Sequence, residues 1–243
     1  MTAPSAWHLW LAIVAFYLSD SARLLYRDEV LFSELNGRWR FHMPGDRWLL
    51  FGRSLHIPNP LTPHCALVRT RWNPLPGSAG TGTAANCYAM RLTAVRWLTV
   101  AVFIVLVCLL PATLAYAGAV GFLFASLLAY LLIVVMLALI HRHRCELALT
   151  SRQVLVLAFE AIACAPFAIN TFRKVTLQTI VPPNALTFAA RALSSEQFNA
   201  FLTALIQQVD IDVQYYDDGD PRSATLAAYR QRLEAMRPTA PAA

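Results

Sequence analysis

Residues 97–140 read WLTVAVFIVLVCLLPATLAYAGAVGFLFASLLAYLLIVVMLALI, and no charged side chain interrupts them. As one continuous helix the run would extend roughly 66 Å, against about 30 Å for the hydrocarbon core of a bilayer. A single helix would leave much of that apolar length in water, so the pattern predicts two helices folded back on one another. The turn is expected at Ala117-Gly118-Ala119-Val120-Gly121, where glycine permits backbone angles that other residues avoid. Pro111 is expected to kink the first helix, because it lacks an N–H and crowds the preceding turn.

Upstream, residues 7–18 are apolar and the pattern continues through Ala22, Leu24, Leu25 and Tyr26. This predicts an N-terminal transmembrane anchor over residues 1–26. Asp20 and Arg23 interrupt it three residues apart, a spacing that would let them pair on one helix face. No basic residue precedes Trp7 and no small-x-small site follows the apolar run, so the segment reads as an uncleaved anchor rather than a signal peptide.

Composition agrees with a partly apolar solvent. Of 243 residues, 57% are hydrophobic and only 14% charged, against roughly a quarter charged in ordinary soluble domains. The net charge of +6 comes almost wholly from arginine, Lys174 being the only lysine. This usage suggests a GC-rich bacterial genome. The five cysteines are widely spaced with no CxxC pair, which argues against a disulfide framework and a structural zinc cluster.

Arginine placement sets the expected orientation. Arg23, Arg27, Arg91 and Arg96 flank the segment between anchor and hairpin, and His141, Arg142, His143 and Arg144 follow the hairpin. The hairpin turn carries no basic residue. The expected topology is multi-pass in the bacterial inner membrane, N-terminus outside and C-terminus cytoplasmic.

Residues 27–96 read as a small cytoplasmic β-rich unit. Residues 38–43 alternate in polarity, Pro44-Gly45 suits a turn, and residues 48–57 would return as the partner strand. Residues 65–72 alternate again, and residues 73–86 have linker composition. Residues 141–180 form a juxtamembrane segment. Its apolar stretch 154–169 is short of a span, has basic residues at both ends, and is expected to lie in the interface or re-enter rather than cross. Residues 181–243 read as a cytoplasmic helical tail. A capping box at Ser194 and Gln197 opens a helix whose stripe is Phe198, Phe201, Leu202, Leu205 and Ile206. A short strand at 209–216 and a helix at about 222–236 follow. The fold class expected is a mainly α membrane protein: anchor plus transmembrane helical hairpin, a small cytoplasmic β-rich unit between them, and a small cytoplasmic α(+β) C-terminal region.

Glu160, Asp20 and Arg23 stand out as ionisable residues at membrane depth, where charge is costly and often functional. The arginines Arg38, Arg40, Arg47, Arg69, Arg71, Arg142 and Arg144 are candidates for contact with lipid phosphate and head groups. Several of them interleave with Trp39, Trp48 and Trp72, a pattern that also suits nucleic acid. Beside a membrane, lipid is the simpler partner, and no nucleic acid is expected. His56, His64 and Cys65, and separately His141, His143 and Cys145, lack the three convergent ligands a zinc site needs. The aspartates at 210, 212, 217, 218 and 220 lack calcium-loop spacing. Gly77, Gly80 and Gly82 lack a P-loop lysine. No metal or cofactor is expected, the hairpin having no histidine to hold a haem.

The spans hold few polar residues, which disfavours a transport pathway. The expected function is a non-catalytic inner-membrane subunit or scaffold, with the lipid bilayer and other membrane subunits or further copies of the chain as partners. The alternative is a membrane-bound enzyme acting on a lipid-linked or phosphate-bearing substrate at the cytoplasmic face.

Overall fold

The computed structural model describes residues 6–44, 49–50, 52–72, 92–179, 184–216 and 220–237. The expected turn at Pro44-Gly45, the linker at 73–86, and Arg47, Trp48, Asp217 and Asp218 fall wholly or partly outside them. The chain is mostly helical with two small sheets. It divides into two compact units. The first draws on Met1–Arg23, His56–Leu67 and Thr83–Ile180, the second on Leu24–Leu55, Val68–Gly82 and Val181–Ala243.

The first unit is built on helices. Helix α1 covers Ala6–Ser21, about 24 Å, which is short of the hydrocarbon core. The expected helical anchor to residue 26 stops there, because Arg23–Leu25 is already strand β1. The apolar run folds as α2, Thr93–Tyr116, and α3, Gly118–Arg142. The break falls at Ala117, with Gly118 at φ +64°, the left-handed region that favours glycine. Gly121 is needed for a different reason: a Cβ there would lie 2.5 Å from the Ala117 Cβ. Ahead of Pro111, residues Val105–Leu109 form a π-turn, and Leu110 N–H bonds the Val105 carbonyl five residues back. Such a widened turn accommodates a proline that cannot donate and would crowd the carbonyl four residues earlier.

Three more helices follow: α4 (Ser151–Ala163), α5 (Ala165–Ala168) and α6 (Thr171–Thr179). Helix α4 opens on a reciprocal capping box between Thr150 and Gln153. It ends where Cys164 turns extended ahead of Pro166, which cannot continue it. The unit's core gathers Ile13, Tyr17, Val102, Leu106, Ala129, Ile133, Met136, Leu157 and Phe172.

The second unit combines strands and tail helices, so most of the segment read above as a β-rich unit shares a compact unit with the tail, whereas its residues 56–67 belong to the first unit. One sheet has the order β3-β2-β6, with β2 Glu29–Leu35, β3 Arg38–His42 and β6 Ala66–Arg71. The other has the order β1-β5-β4, with β4 Leu49–Leu50 and β5 Arg53–His56. The expected pairing of 38–43 with 48–57 is not formed: β3 pairs with β2, Leu35 facing Arg38 and Phe32 facing Phe41, and β4 pairs with β5. The reason is local. Asn36 and Gly37 both have positive φ, 54° and 78°, the two-residue turn whose twist matches paired strands.

The tail supplies α7 (Ala185–Ala192), α8 (Ser195–Val213) and α9 (Pro221–Ala235). The strand expected at 209–216 is instead the end of α8. The apolar stripe runs on through Val209, which is fully buried, so the helical period wins. Phe32 meets Phe188 and Phe201, with ring centroids 4.8 and 5.9 Å away. Trp72 stacks on Tyr229 at 6.2 Å.

Candidate functional site: a charge network in the first unit

The last turn of α1 presents Tyr17, Asp20 and Ser21, at positions i, i+3 and i+4, to one side. The start of α6 brings Asn170, Arg173 and Lys174 in the same spacing. A third element is the loop after β5, whose prolines at 58, 60 and 63 remove three N–H donors and leave carbonyls free to accept. These elements meet around Arg173, which is 1% exposed.

Arg173 Nη2 donates to the carbonyls of Asn59 and Thr62, both at 2.7 Å. Its Nη1 reaches Asn170 Oδ1 at 3.2 Å, with Ser21 Oγ and Tyr17 Oη at 3.4 Å. Tyr17 Oη in turn donates to the Pro60 carbonyl at 2.7 Å. Asn170 Nδ2 donates to Asp20 Oδ2 at 2.9 Å and to the Tyr17 carbonyl at 3.2 Å. The buried guanidinium therefore has no carboxylate against it and is linked to Asp20 through one amide.

Beside it, Lys174 Nζ is shared between Asp20 Oδ1 at 2.7 Å and Glu160 Oε2 at 2.6 Å. It also sits over the Phe167 ring at 5.3 Å. Lys174 and Asp20 are 11% and 12% exposed at their side chains, whereas Glu160 keeps 38%. Two cations and two carboxylates make the network neutral. Neutrality and full hydrogen bonding are what keep charge tolerable away from water. The network's cationic donors are spent on groups of the protein itself, apart from the buried Arg173 Nε.

Of the residues singled out in the sequence, the structure joins Asp20 and Glu160 through Lys174. Arg23 lies beyond the last residue of α1, on β1, and Asp20 pairs with Lys174. Arg173, Asn170, Tyr17, Ser21 and the two loop carbonyls were not foreseen. The available signals were the single lysine and the repeated i, i+3, i+4 polar spacing at the two helix ends.

The arginine candidates lie elsewhere. Arg38 and Arg40 are exposed on β3, and Arg142 is exposed at the end of α3. Arg144 donates to Ser151 Oγ at 2.9 Å. Arg69 pairs with Glu29, whose side chain is 4% exposed, and Arg71 reaches Asp28 and Glu29 at 3.5 Å. Among the described residues no group of three or more His, Cys, Asp or Glu side chains is placed to hold a metal ion. No protein-family model matches the chain, and no curated protein or solved structure was found similar to it.

Proposed function

We propose that the chain is a multi-pass protein of the bacterial inner membrane, acting as a non-catalytic subunit or scaffold of a larger membrane complex. The observation that carries this reading is the exposure of α2 and α3. Only 28% and 33% of their most apolar windows are buried within the protein. On α3, Leu123, Phe124, Leu127, Leu131 and Val134 are 65, 70, 68, 58 and 53% exposed. A core helix of a water-soluble protein buries such residues, and an exposed apolar surface of this extent needs lipid or another protein against it. The basic residues His141, Arg142, Arg144 and Arg152 at one end of the hairpin, and none at its turn, support that end as cytoplasmic. In this reading the N-terminus is outside, and the second unit, sharing the C-terminal region, docks other proteins on the cytoplasmic side.

The non-catalytic part of the reading draws on the network, whose cations bond to groups of the protein itself: Lys174 to Asp20 and Glu160, Arg173 to neutral acceptors. The second reading is an enzyme working on a lipid-linked or phosphate-bearing substrate at the cytoplasmic face. It draws on Glu160, the member of the network that keeps a partly exposed carboxylate.

Purification in mild detergent from the native host tests the two. Stoichiometric co-eluting subunits, retained with Glu160→Gln, are expected. A clean monomer or homo-oligomer with bound lipid, together with loss of function in a folded Glu160→Gln protein, would overturn the subunit reading in favour of the enzyme.

A further inference from the structure

We propose that α4, α5 and α6 form a re-entrant hairpin that dips from the cytoplasmic face towards mid-depth of the bilayer, with the Asp20–Lys174–Glu160 cluster in the cytoplasmic half. The inference rests on the membrane reading of α2 and α3 and deepens it. The occupant of the outer face of α4 is lipid hydrocarbon.

Two contacts fix the direction of α4 against α3. At its start, Arg144, just past the end of α3, bonds Ser151. At its end, the Ile162 carbonyl oxygen lies 3.4 Å from Tyr130 Oη. Tyr130 stands twelve positions before Arg142 in the same helix, which is about 18 Å along the axis. From Ser151 to Ile162, α4 itself rises about 16 Å. The two lengths agree only if α4 runs antiparallel alongside α3. A helix lying flat in the interface would cross α3 steeply and touch it near one point. If α3 spans the bilayer from Arg142 upward, the end of α4 is therefore close to the midplane.

The side chains of α4 agree. Val154, Leu157 and Ala161 are buried in the unit. On the opposite side Leu155, Val156, Phe159 and Ile162 are 69, 47, 75 and 51% exposed. A helix apolar on both faces fits a position between protein and lipid, where an interfacial helix would show a polar face to water. Its one ionisable residue beyond the first turn, Glu160, sits two residues short of the Tyr130 contact and is neutralised by Lys174. The basic residues Arg144 and Arg152 stay at the entry end, at the level of lipid phosphates. The break at Cys164 and Pro166 reverses the chain, and α6 returns Lys174 to the level of Glu160. A true fourth crossing would need about 20 residues without reversal.

Depth measurement by spin labelling tests this in vesicles of phosphatidylcholine and phosphatidylglycerol. Single-cysteine chains carry the label at Leu155→Cys, Phe159→Cys or Ile162→Cys, or at native Cys108 or Cys145, the remaining cysteines being serine. Cys65, which is buried, is replaced by alanine where serine prevents folding. Accessibility to oxygen and to a water-soluble nickel chelate gives the depth. The expected result is Cys108 deep, Cys145 aqueous, and depth increasing from 155 through 159 to 162 by about 10 Å. A single shallow depth at all three positions, with Cys108 still deep, would overturn the re-entrant hairpin and leave the membrane reading standing. Aqueous exposure of Cys108 overturns both.

Discussion

In the second unit, Phe32 on the β3-β2-β6 sheet is wedged between Phe188 of α7 and Phe201 of α8, and the large apolar residues of α8 lie inside. In the first unit many large apolar side chains of α3 and α4, Phe124 and Phe159 among them, point outward, and the largest fully buried side chain among the described residues is an arginine. One unit gathers its aromatic side chains inside and leaves most of its charge outside, Glu29 being buried against Arg69. The other hides a neutral ionic network and shows hydrocarbon to its surroundings. The difference lies in which residue types each unit exposes, and it is the contrast on which the membrane reading of the first unit rests.

The largest effect that would sharpen this contrast is expected at Lys174. Lys174→Met keeps the volume of the side chain but leaves Asp20 and Glu160 without their shared cation. Breaking a buried pair in this way costs about 3–5 kcal/mol, enough to abolish a monodisperse species in detergent. Adding Asp20→Asn and Glu160→Gln to that variant restores much of the loss. A single variant as stable as the parent in thermal unfolding would mean that the network contributes nothing.

A slightly smaller effect separates the two surfaces. Leu127→Asp, at an exposed site on α3, is expected to disfavour membrane insertion by about 2.5–3.5 kcal/mol. Ala200→Asp, exposed on α8, is expected to stay within about 0.5 kcal/mol of neutral. Insertion is read by carbonate extraction and stability by thermal unfolding. Equal tolerance at both positions would break the comparison, because α3 would then face water.

Within the second unit, Tyr229 shows the cost of a water-type core. Its hydroxyl is buried without a hydrogen-bond partner among the described residues, and burial pushes its pKa up to about 12. Tyr229→Phe removes the unsatisfied group and keeps the stack on Trp72, so a gain of about 1 kcal/mol is expected in the unfolding midpoint. Destabilisation would show that the hydroxyl has a partner in solution.

The smallest effect is a pH slope. Burial, and secondarily the charge of Arg40, lowers the pKa of His42 below its ordinary 6.5. The unfolded chain then binds that proton more readily than the folded one, so stability is full above pH 6.5 and falls as pH drops below it. His42→Gln should flatten this part of the profile relative to the parent. Identical slopes would remove His42 from the account.

Local chemistry was legible wherever one period or one turn decided the outcome. The hairpin break at Gly118, the cap at Ser194 and the stripe of α8 each follow from neighbours within a few residues. One local signal was passed over: Asn36-Gly37 makes β2 the partner of β3, which the alternation of residues 38–57 concealed. Longer-range pairings were not legible. Asp20 pairs with a lysine more than 150 positions on, which no local spacing announces.

By itself the sequence determined that this chain has an uncharged apolar run too long for one helix, folded into two. That conclusion needs only the rise of a helix and the absence of ionisable side chains between residues 97 and 140. Only the tertiary structure decided which charges meet, because a salt bridge depends on distance in space, and residues 20, 160 and 174 carry no mark of one another in sequence. It also decided that α4 runs antiparallel to α3, because contacts at its two ends, far apart in sequence from Tyr130 in one case, locate it.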